Sequence, residues 1–566
     1  MGSELRIGIL CNGLVFRQWE ADAIRLVQAV PGASIVLLVE NANAAGKDEG
    51  AVQRTPILKR LLRYPWRMAL YLQYRQRFFK PEAMRPVDLS EALGDVPRLR
   101  CKPQRKGISE YFAPRDLDAI GAHAPDVLLR FGFNIIRGPI LELPRHGVWS
   151  FHHGDELKYR GGPPGFWEIM HGEPVTAAIL QRLTDKLDAG IVLRKGWFTT
   201  VDHSLQETVD TLLRTSAQWP ALLCREILAG NMAAAQGVPS ATEAPVFKYP
   251  RNFTFLQFLW MQAANKLRFH RKSQNHHEQW NIGILNQPIT SLLEDKPNLN
   301  ARWLPEPGKG QFRADPFGYE RDGELNVLYE KYDYRTGLGE IARLRPKADN
   351  VLKRSRIMLA KVAHLSYPYT VQRSDGVYCV PESAAEGRVE LYKVHTNNDS
   401  LEHVCTLLEE PLVDPTLFEN DGLWWLFGTK PPLTNVELHI YWSRDFLGPY
   451  TAHALNPVKH DVRSARPAGT PFRRGDELWR PAQDSTYTYG GRVAFNRVTV
   501  LTPQAFAEVT EKWLEPFRGT AFNKGIHTLA AVGNITLVDG KRYKASSAQG
   551  KRELKRKFDR LKRREE

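Results

Sequence analysis

Roughly every 50 residues the second half of this chain repeats one pattern: a short strand-like stretch, a turn, and a second stretch rich in apolar residues. Arg313-Ala314-Asp315-Pro316-Phe317 precedes Leu325 to Glu330, Leu365-Ser366-Tyr367-Pro368-Tyr369 precedes Gly376 to Glu382, and Leu412-Val413-Asp414-Pro415-Thr416-Leu417-Phe418 precedes Gly422 to Phe427. A fourth unit runs from Ala465 to Gly469 and then Leu478 to Asp484, and a weaker fifth from Gly525 to Leu529 and then Ile535 to Gly540. One such unit cannot bury its own apolar face, so the units must pack on one another. Five of them predict a five-bladed β-propeller, which removes sheet edges by closing radially. Trp424 and Trp425 alternate faces, so only one of the two is expected in the core.

The first half reads differently. Arg6 to Cys11 is a strand, Asn12-Gly13 a turn, Trp19, Ala23, Ile24 and Val27 lie at helical spacing, and Ser34 to Val39 is a second aliphatic strand. That order opens a parallel sheet buried on both faces. The GxGxxG glycines of a dinucleotide site are missing. Val96 to Cys101 reads as an edge strand because of Pro97. Arg115 to Ala122 is helical, Pro125 to Gly132 and Gly147 to Phe151 are strands, Val175 to Arg182 and Ile191 to Leu193 follow, and Leu205 to Ala229 has helical spacing throughout. The fold class is therefore multidomain, a parallel α/β domain followed by a five-bladed propeller. Its expected parts are residues 1–230 with a basic insertion near 45–95, a linker and bridging helix at 231–278, the propeller at 279–545 and a charged tail at 546–566. Within the insertion, residues 56–80 carry alternating aromatic and basic residues, which suits a packed helical hairpin or a helix that docks on a membrane surface or a partner.

A formal charge of +15 suits an anionic substrate, a membrane surface or nucleic acid, but the cations are too dispersed to choose among them. Five cysteines far apart in sequence suggest reduced thiols and a cytoplasmic setting. No secretory leader and no membrane-spanning run of apolar residues is expected.

The strand Gly147 to Phe151 leads into His152 and His153, with a glycine turn at Tyr159-Arg160-Gly161-Gly162 and a carboxylate, Asp188, 36 residues beyond His152. His152 falls at the carboxyl end of a parallel strand, where open α/β sheets bind ligands. A carboxylate on the following βαβ return would orient an imidazole and favour its protonated form. Residues Gly147 to Gly190 resemble the core of the folate-dependent formyltransferases, and the resemblance extends over most of residues 5–225. It implies a catalytic pair at His152 and Asp188, with the loop Tyr159-Arg160-Gly161 and Gly162 near the amine substrate. It also implies a site for 10-formyltetrahydrofolate lined by Arg130, Phe131, Gly132, Phe133, Asn134 and Ile136. The family's asparagine falls on Ser150, a shorter side chain, so the developing oxyanion needs help from a second donor or a water; His153 and Asn134 are the candidates. The implied partner is a small amine or amino sugar, nucleotide- or lipid-linked. Nucleic acid is not expected as a partner, peripheral membrane contact is open, and no metal is expected.

The Asp-Pro repeats resemble the five-bladed propellers of glycoside hydrolases and, more closely, the N-terminal region of plant glucosamine inositolphosphorylceramide transferases. Paired carboxylates are what glycoside chemistry requires. Asp315 and Asp414, with Glu382 or Asp484, are the candidates for hydrolysis or for glycan binding, and Arg313, Arg466, His364 and His527 would suit an anionic sugar. Asp-Pro also caps strand turns, so a scaffold role remains open.

Overall fold

A computed structural model describes residues 4–43, 66–186, 190–231, 236–240, 242–346, 355–395 and 399–545. The chain divides into two compact units, Met1–Leu267 and Arg268–Glu566, and the boundary falls inside the helix Asn252–Asn275.

The first unit is built on one sheet: β1 (Leu5–Cys11), β2 (Ala33–Asn41), β3 (Arg98–Cys101), β4 (Val127–Arg130), β5 (Val148–His152), β6 (Val175–Arg182), β7 (Ile191–Thr199) and β8 (Val238–Pro239), in the order β8-β7-β6-β5-β4-β1-β2-β3. The strands β3, β2, β1, β4 and β5 run parallel, with Pro97 just before the edge strand β3. From β5 onward the pairing is antiparallel, His152 facing Ile179. The parallel βαβ return expected around Asp188 is thus replaced by antiparallel pairing of β6 with β7. Only residues 183–190 separate these strands, fewer than the dozen or more that a parallel crossover needs.

The helix Gln18–Gln28 buries Trp19, Ala23, Ile24 and Val27, as its spacing predicts. The expected helix from Leu205 to Ala229 is two, Leu205–Ser216 and Trp219–Leu228. Pro220 lacks a donor and fits the first turn of a helix but not its interior, so the chain restarts there. In the insertion, the helix Ala69–Arg77 packs Tyr71 edge-on against Phe166 and Phe255; residues 56–65 lie outside the described residues.

Among its described residues the second unit contains five successive antiparallel sheets, four of four strands and one of five. Its opening strand, His276–Leu285, pairs along its length with the last, Ile535–Ala545. The fifth repeat looked weak because its sheet is drawn from both ends of the unit. In the fourth repeat, Ala465 to Gly469 forms isolated bridges only, Pro467 to Ala482 and Gly469 to Leu529, and Phe472–Arg474 takes the strand position. Pro467 has no N–H to give a ladder. Gly469 has φ +113, and a Cβ there would lie 1.8 Å from the Leu529 carbonyl oxygen, so only glycine fits. Ile282, Phe317, Tyr329, Val380, Leu426, Tyr441 and Leu537 share one buried core. Trp425 is buried, whereas Trp424 is half-buried against Phe446.

All five cysteines are unpaired. No helix among the described residues is long and apolar enough to cross a membrane.

Candidate functional site

In the first unit the parallel register sets Ser150 beside Arg130 on the neighbouring strand. Arg130 donates from Nε and Nη2 to Ser150 Oγ, at 3.0 and 2.8 Å, and from Nη1 to the Asn134 carbonyl at 2.8 Å. Burial pulls this guanidinium below its ordinary pKa, and Glu110 counters the pull. Ser150 is itself buried, 1% exposed. His152 lies two residues further along β5, on the same face as Ser150. Its Nε2 is 3.1 Å from the Tyr159 carbonyl. A carbonyl only accepts, so Nε2 carries a proton. Gly154 makes this contact possible, since a Cβ there would sit 3.1 Å from both His152 Nε2 and the Tyr159 oxygen.

Other sequence candidates do different work. His153 turns away from the site: its Nε2 meets Ser216 Oγ at 3.1 Å, its ring stacks on Phe151, and burial, with His152 and Arg17, pushes its pKa down to about 3. Asn134 commits its side-chain amide to Glu110 at 2.6 Å, so the donor beside Ser150 is Arg130 and not either residue named from sequence. Phe131 packs with Phe16, Trp19 and Phe151, and Ile136 is buried in the core beneath the sheet. Gly132 abuts the backbone of Cys11 and Asn12, and Phe133, at φ 66, packs on Phe112. The Tyr159 hydroxyl is bonded to His171 Nδ1 at 3.1 Å, and burial pushes its pKa up to about 12. Arg160 and Gly161 pair with Val246 and Phe247, and the Gly162 amide donates to the Phe247 carbonyl at 3.2 Å. Asp188 lies outside the described residues. Of the residues expected to line a cofactor site, Arg130 stands beside Ser150 at the strand end, and Phe133 and Asn134 lie against it through their carbonyls.

The second unit gathers charge at a cleft of about 790 Å³ lined by Asp315, Glu330, Glu382, His364 and Arg466 and walled by Trp280, Phe312, Tyr332, Tyr334, Tyr487 and Tyr489. Three inner strands share one local backbone. Asp315, Tyr367 and Asp414 have φ of 51, 42 and 52, each before a proline and each at a register shift in the strand pair. Left-handed backbone at non-glycine residues is costly and persists where its surroundings hold it. Here they do: the Tyr367 amide donates to Asp315 Oδ2 at 3.3 Å, the Asp315 amide to Asp539 Oδ2 at 3.2 Å, and the Gly469 amide to the Tyr367 hydroxyl at 2.7 Å.

Asp414 does not line the cleft. It holds Arg466 from behind through a bidentate pair, at 2.5 and 3.1 Å, and also accepts from Gln483 Nε2 at 2.7 Å. Arg466 then presents its guanidinium over the Tyr489 ring at 4.9 Å. Asp484 is likewise absent from the cleft lining, being buried and paired with Arg492 at 2.9 Å. Arg313 donates to the Pro305 carbonyl at 2.8 Å.

Burial raises the carboxyls that do line the cleft. Asp315 is pushed up to about 6, with His527 opposing and Asp539 reinforcing. Glu382 rises to about 7 through burial and then Asp414, and Glu330 rises well above its ordinary value through burial and then Asp315. Burial pulls the His527 pKa down, but Asp539, at 2.5 Å from Nδ1, and Asp315 outweigh it and leave the imidazole raised. Asp315, His527 and Asp539 have the spacing of a metal cluster.

Glu330, Asp539, Trp280 and Tyr489 were missed as site residues. Glu330 was findable: it faces Ala314 just before the first register shift, as Glu382 faces Ser366 before the second.

These features define a multidomain, sheet-rich protein in which an α/β unit with a His-bearing strand end accompanies a β unit with an acidic cleft. Residues 304–528 match the family model described as Glucosamine inositolphosphorylceramide transferase 1, N-terminal. Over 249 residues the chain is 31% identical to glucosamine inositolphosphorylceramide transferase 1 of Oryza sativa subsp. japonica, covering 41% of this chain and 33% of that protein. It is 26% identical over 200 residues to a methionyl-tRNA formyltransferase of Halalkalibacterium halodurans, covering 34% of this chain and 59% of the relative. The chain thus spans a third of the rice protein's length and about three-fifths of the bacterial one's. Among solved structures, Zg3597, a family 117 glycoside hydrolase from Zobellia galactanivorans, matches 42% of this chain and 88% of its own at a TM-score of 0.31 and 14% identity. Resemblance to formyltransferases and to glucosamine inositolphosphorylceramide transferases therefore coexists in one polypeptide, and both sets of curated relatives are transferases by name.

Proposed function

We propose that the first unit transfers a formyl group from 10-formyltetrahydrofolate to the amine of a small, sugar-linked acceptor, in the cytoplasm where the unpaired thiols stay reduced. The observation that carries this reading is the Arg130–Ser150 contact beside His152. When bound, the folate supplies the formyl carbon. Ser150 Oγ receives two N–H bonds from Arg130, which use both its lone pairs and leave its hydroxyl hydrogen to donate. A hydroxyl polarised by a guanidinium is a stronger donor than serine alone and takes the position of the family's amide. His152, with Nε2 anchored on Tyr159, receives the proton of the attacking amine and would return it to the folate nitrogen as that nitrogen's bond to the formyl carbon breaks. Asp188 would support the imidazolium, as the resemblance implies.

Incubation with 10-formyltetrahydrofolate and nucleotide-linked amino sugars, followed by mass measurement, should give formylated product. His152→Ala should lower the rate by about 10²- to 10⁴-fold and Ser150→Ala by about 10²- to 10³-fold. Product formed equally well by His152→Ala would contradict the proposal.

A second reading concerns the other unit. We read its five sheets as the blades of a propeller whose cleft binds or cleaves a glycan, and in this alternative the first unit is non-catalytic or altered. It is favoured by cleft-lining carboxyls whose pKa values burial raises, which suits an acid role, and by aromatic walls that suit sugar faces. Glycan-array binding or hydrolysis abolished by Asp315→Ala and untouched by His152→Ala would establish it; retention in Asp315→Ala would remove it.

A further inference from the structure

The helix Asn252–Asn275 presents two faces. Phe255, Phe258 and Asn265 are buried, whereas Phe253, Leu256, Leu259, Trp260 and Leu267 are exposed, Phe253 by 72% and Trp260 by 76%. Phe253, Leu256, Trp260 and Leu267 fall at intervals of three, four and seven, which places them in one stripe along the helix. A contiguous exposed apolar stripe of this kind marks an interaction site, unlike scattered surface leucines. Leu70, also exposed, extends it at the helix start, its amide donating to Asn252 Oδ1 at 3.1 Å.

Charge identifies the occupant. From Lys248 to Asn275 the sequence holds no aspartate or glutamate, and Lys248, Arg251, Lys266 and Arg268, all exposed, flank the stripe. A convex helix with an aromatic ridge and a fringe of cations is the form that seats in the headgroup region of an anionic bilayer, rings in the acyl boundary and basic side chains reaching the phosphates. With no described helix able to cross a membrane, the contact is peripheral.

We propose that this helix is a membrane-surface anchor that binds anionic phospholipid through Phe253, Leu256, Trp260 and Leu267. It stands independently of the formyl-transfer reading.

The test is co-sedimentation of the full chain with vesicles of equal parts phosphatidylcholine and phosphatidylglycerol, against vesicles of phosphatidylcholine alone. Binding is expected to the anionic vesicles only, to weaken with salt, and to fall by about tenfold or more in Trp260→Glu and in Phe253→Glu. Both side chains are exposed, so melting temperatures should be unchanged. The proposal is overturned if the chain binds neither vesicle, binds both equally, or binds anionic vesicles as well in the glutamate variants. It is also overturned if ultracentrifugation shows the stripe buried in a dimer that Trp260→Glu dissociates, without vesicle binding.

Discussion

At the strand ends of the first unit, a guanidinium, a hydroxyl and an imidazole stand side by side, and the nearby carboxylate, Glu110, is occupied with Asn134. In the cleft of the second unit the arrangement is inverted: Asp315, Glu330 and Glu382 face a space where the Arg466 guanidinium is already held by Asp414. Under the proposed function, the first arrangement stabilises negative charge that develops on a ligand. The second stores protons, because burial makes its carboxyls costly to ionise. A site of the first kind can be carried by neighbouring strands, whereas the second draws its groups from separate sheets and needs the whole β unit closed around it.

The largest expected effect is therefore on stability in the second unit. Arg466→Ala would leave Asp414, 2% exposed, without its bidentate partner, and should cost about 3–5 kcal/mol in denaturant unfolding. Arg130 makes its hydrogen bonds to a neutral hydroxyl and carbonyls, and the nearby Glu110 keeps its bonds to Asn134, so Arg130→Ala should destabilise much less while removing transfer activity. Equal losses of stability in both variants would break the contrast.

Acid should also separate the two units. Glu382, ordinarily near 4.5, is raised to about 7, so the folded state keeps a proton that the unfolded chain has lost, and stability falls as pH rises between those values. Asp315 acts in the same sense between 3.8 and about 6. His527, raised above 6.5, adds stability that is lost as pH rises through its folded value. In the first unit His153 is depressed to about 3, so stability is lost as pH falls from 6.5 toward 3. Glu168, buried and raised to about 7, opposes that trend at the upper end. Hydrogen exchange followed by peptide should show Glu382→Gln flattening the slope in the second unit only and His153→Gln flattening it in the first.

The smallest effect belongs to Tyr367→Phe. It removes the acceptor for the buried Gly469 amide and should cost about 1–3 kcal/mol, with no change in the first unit.

What could be read from sequence follows the same division. His152 at the end of a strand was legible because strand, histidine and glycine turn are contiguous, and Asp315 at the cleft was legible because the repeat marks it. The contact of Arg130 with Ser150 was not, since it depends on the register between strands 20 residues apart in sequence. Nor was the antiparallel turn of the sheet after His152, as a strand's alternation carries no direction. The pairing of His527 with Asp539 escaped because the sequence marks His527 alone and does not show that the returning strand Ile535–Ala545 sets Asp539 beside it. Asp414 and Asp484 were placed in the site by residue type, and their partners Arg466 and Arg492 instead turn them into buried ion pairs.

The most direct test of the first unit's role is a calorimetric titration of the full chain with 5-formyltetrahydrofolate, a stable formyl-bearing folate. The expected result is one site per chain, weakened about tenfold or more in Arg130→Met and unaffected by Asp315→Ala. No measurable binding, or binding that Asp315→Ala abolishes and Arg130→Met leaves intact, would contradict formyl transfer at this strand end.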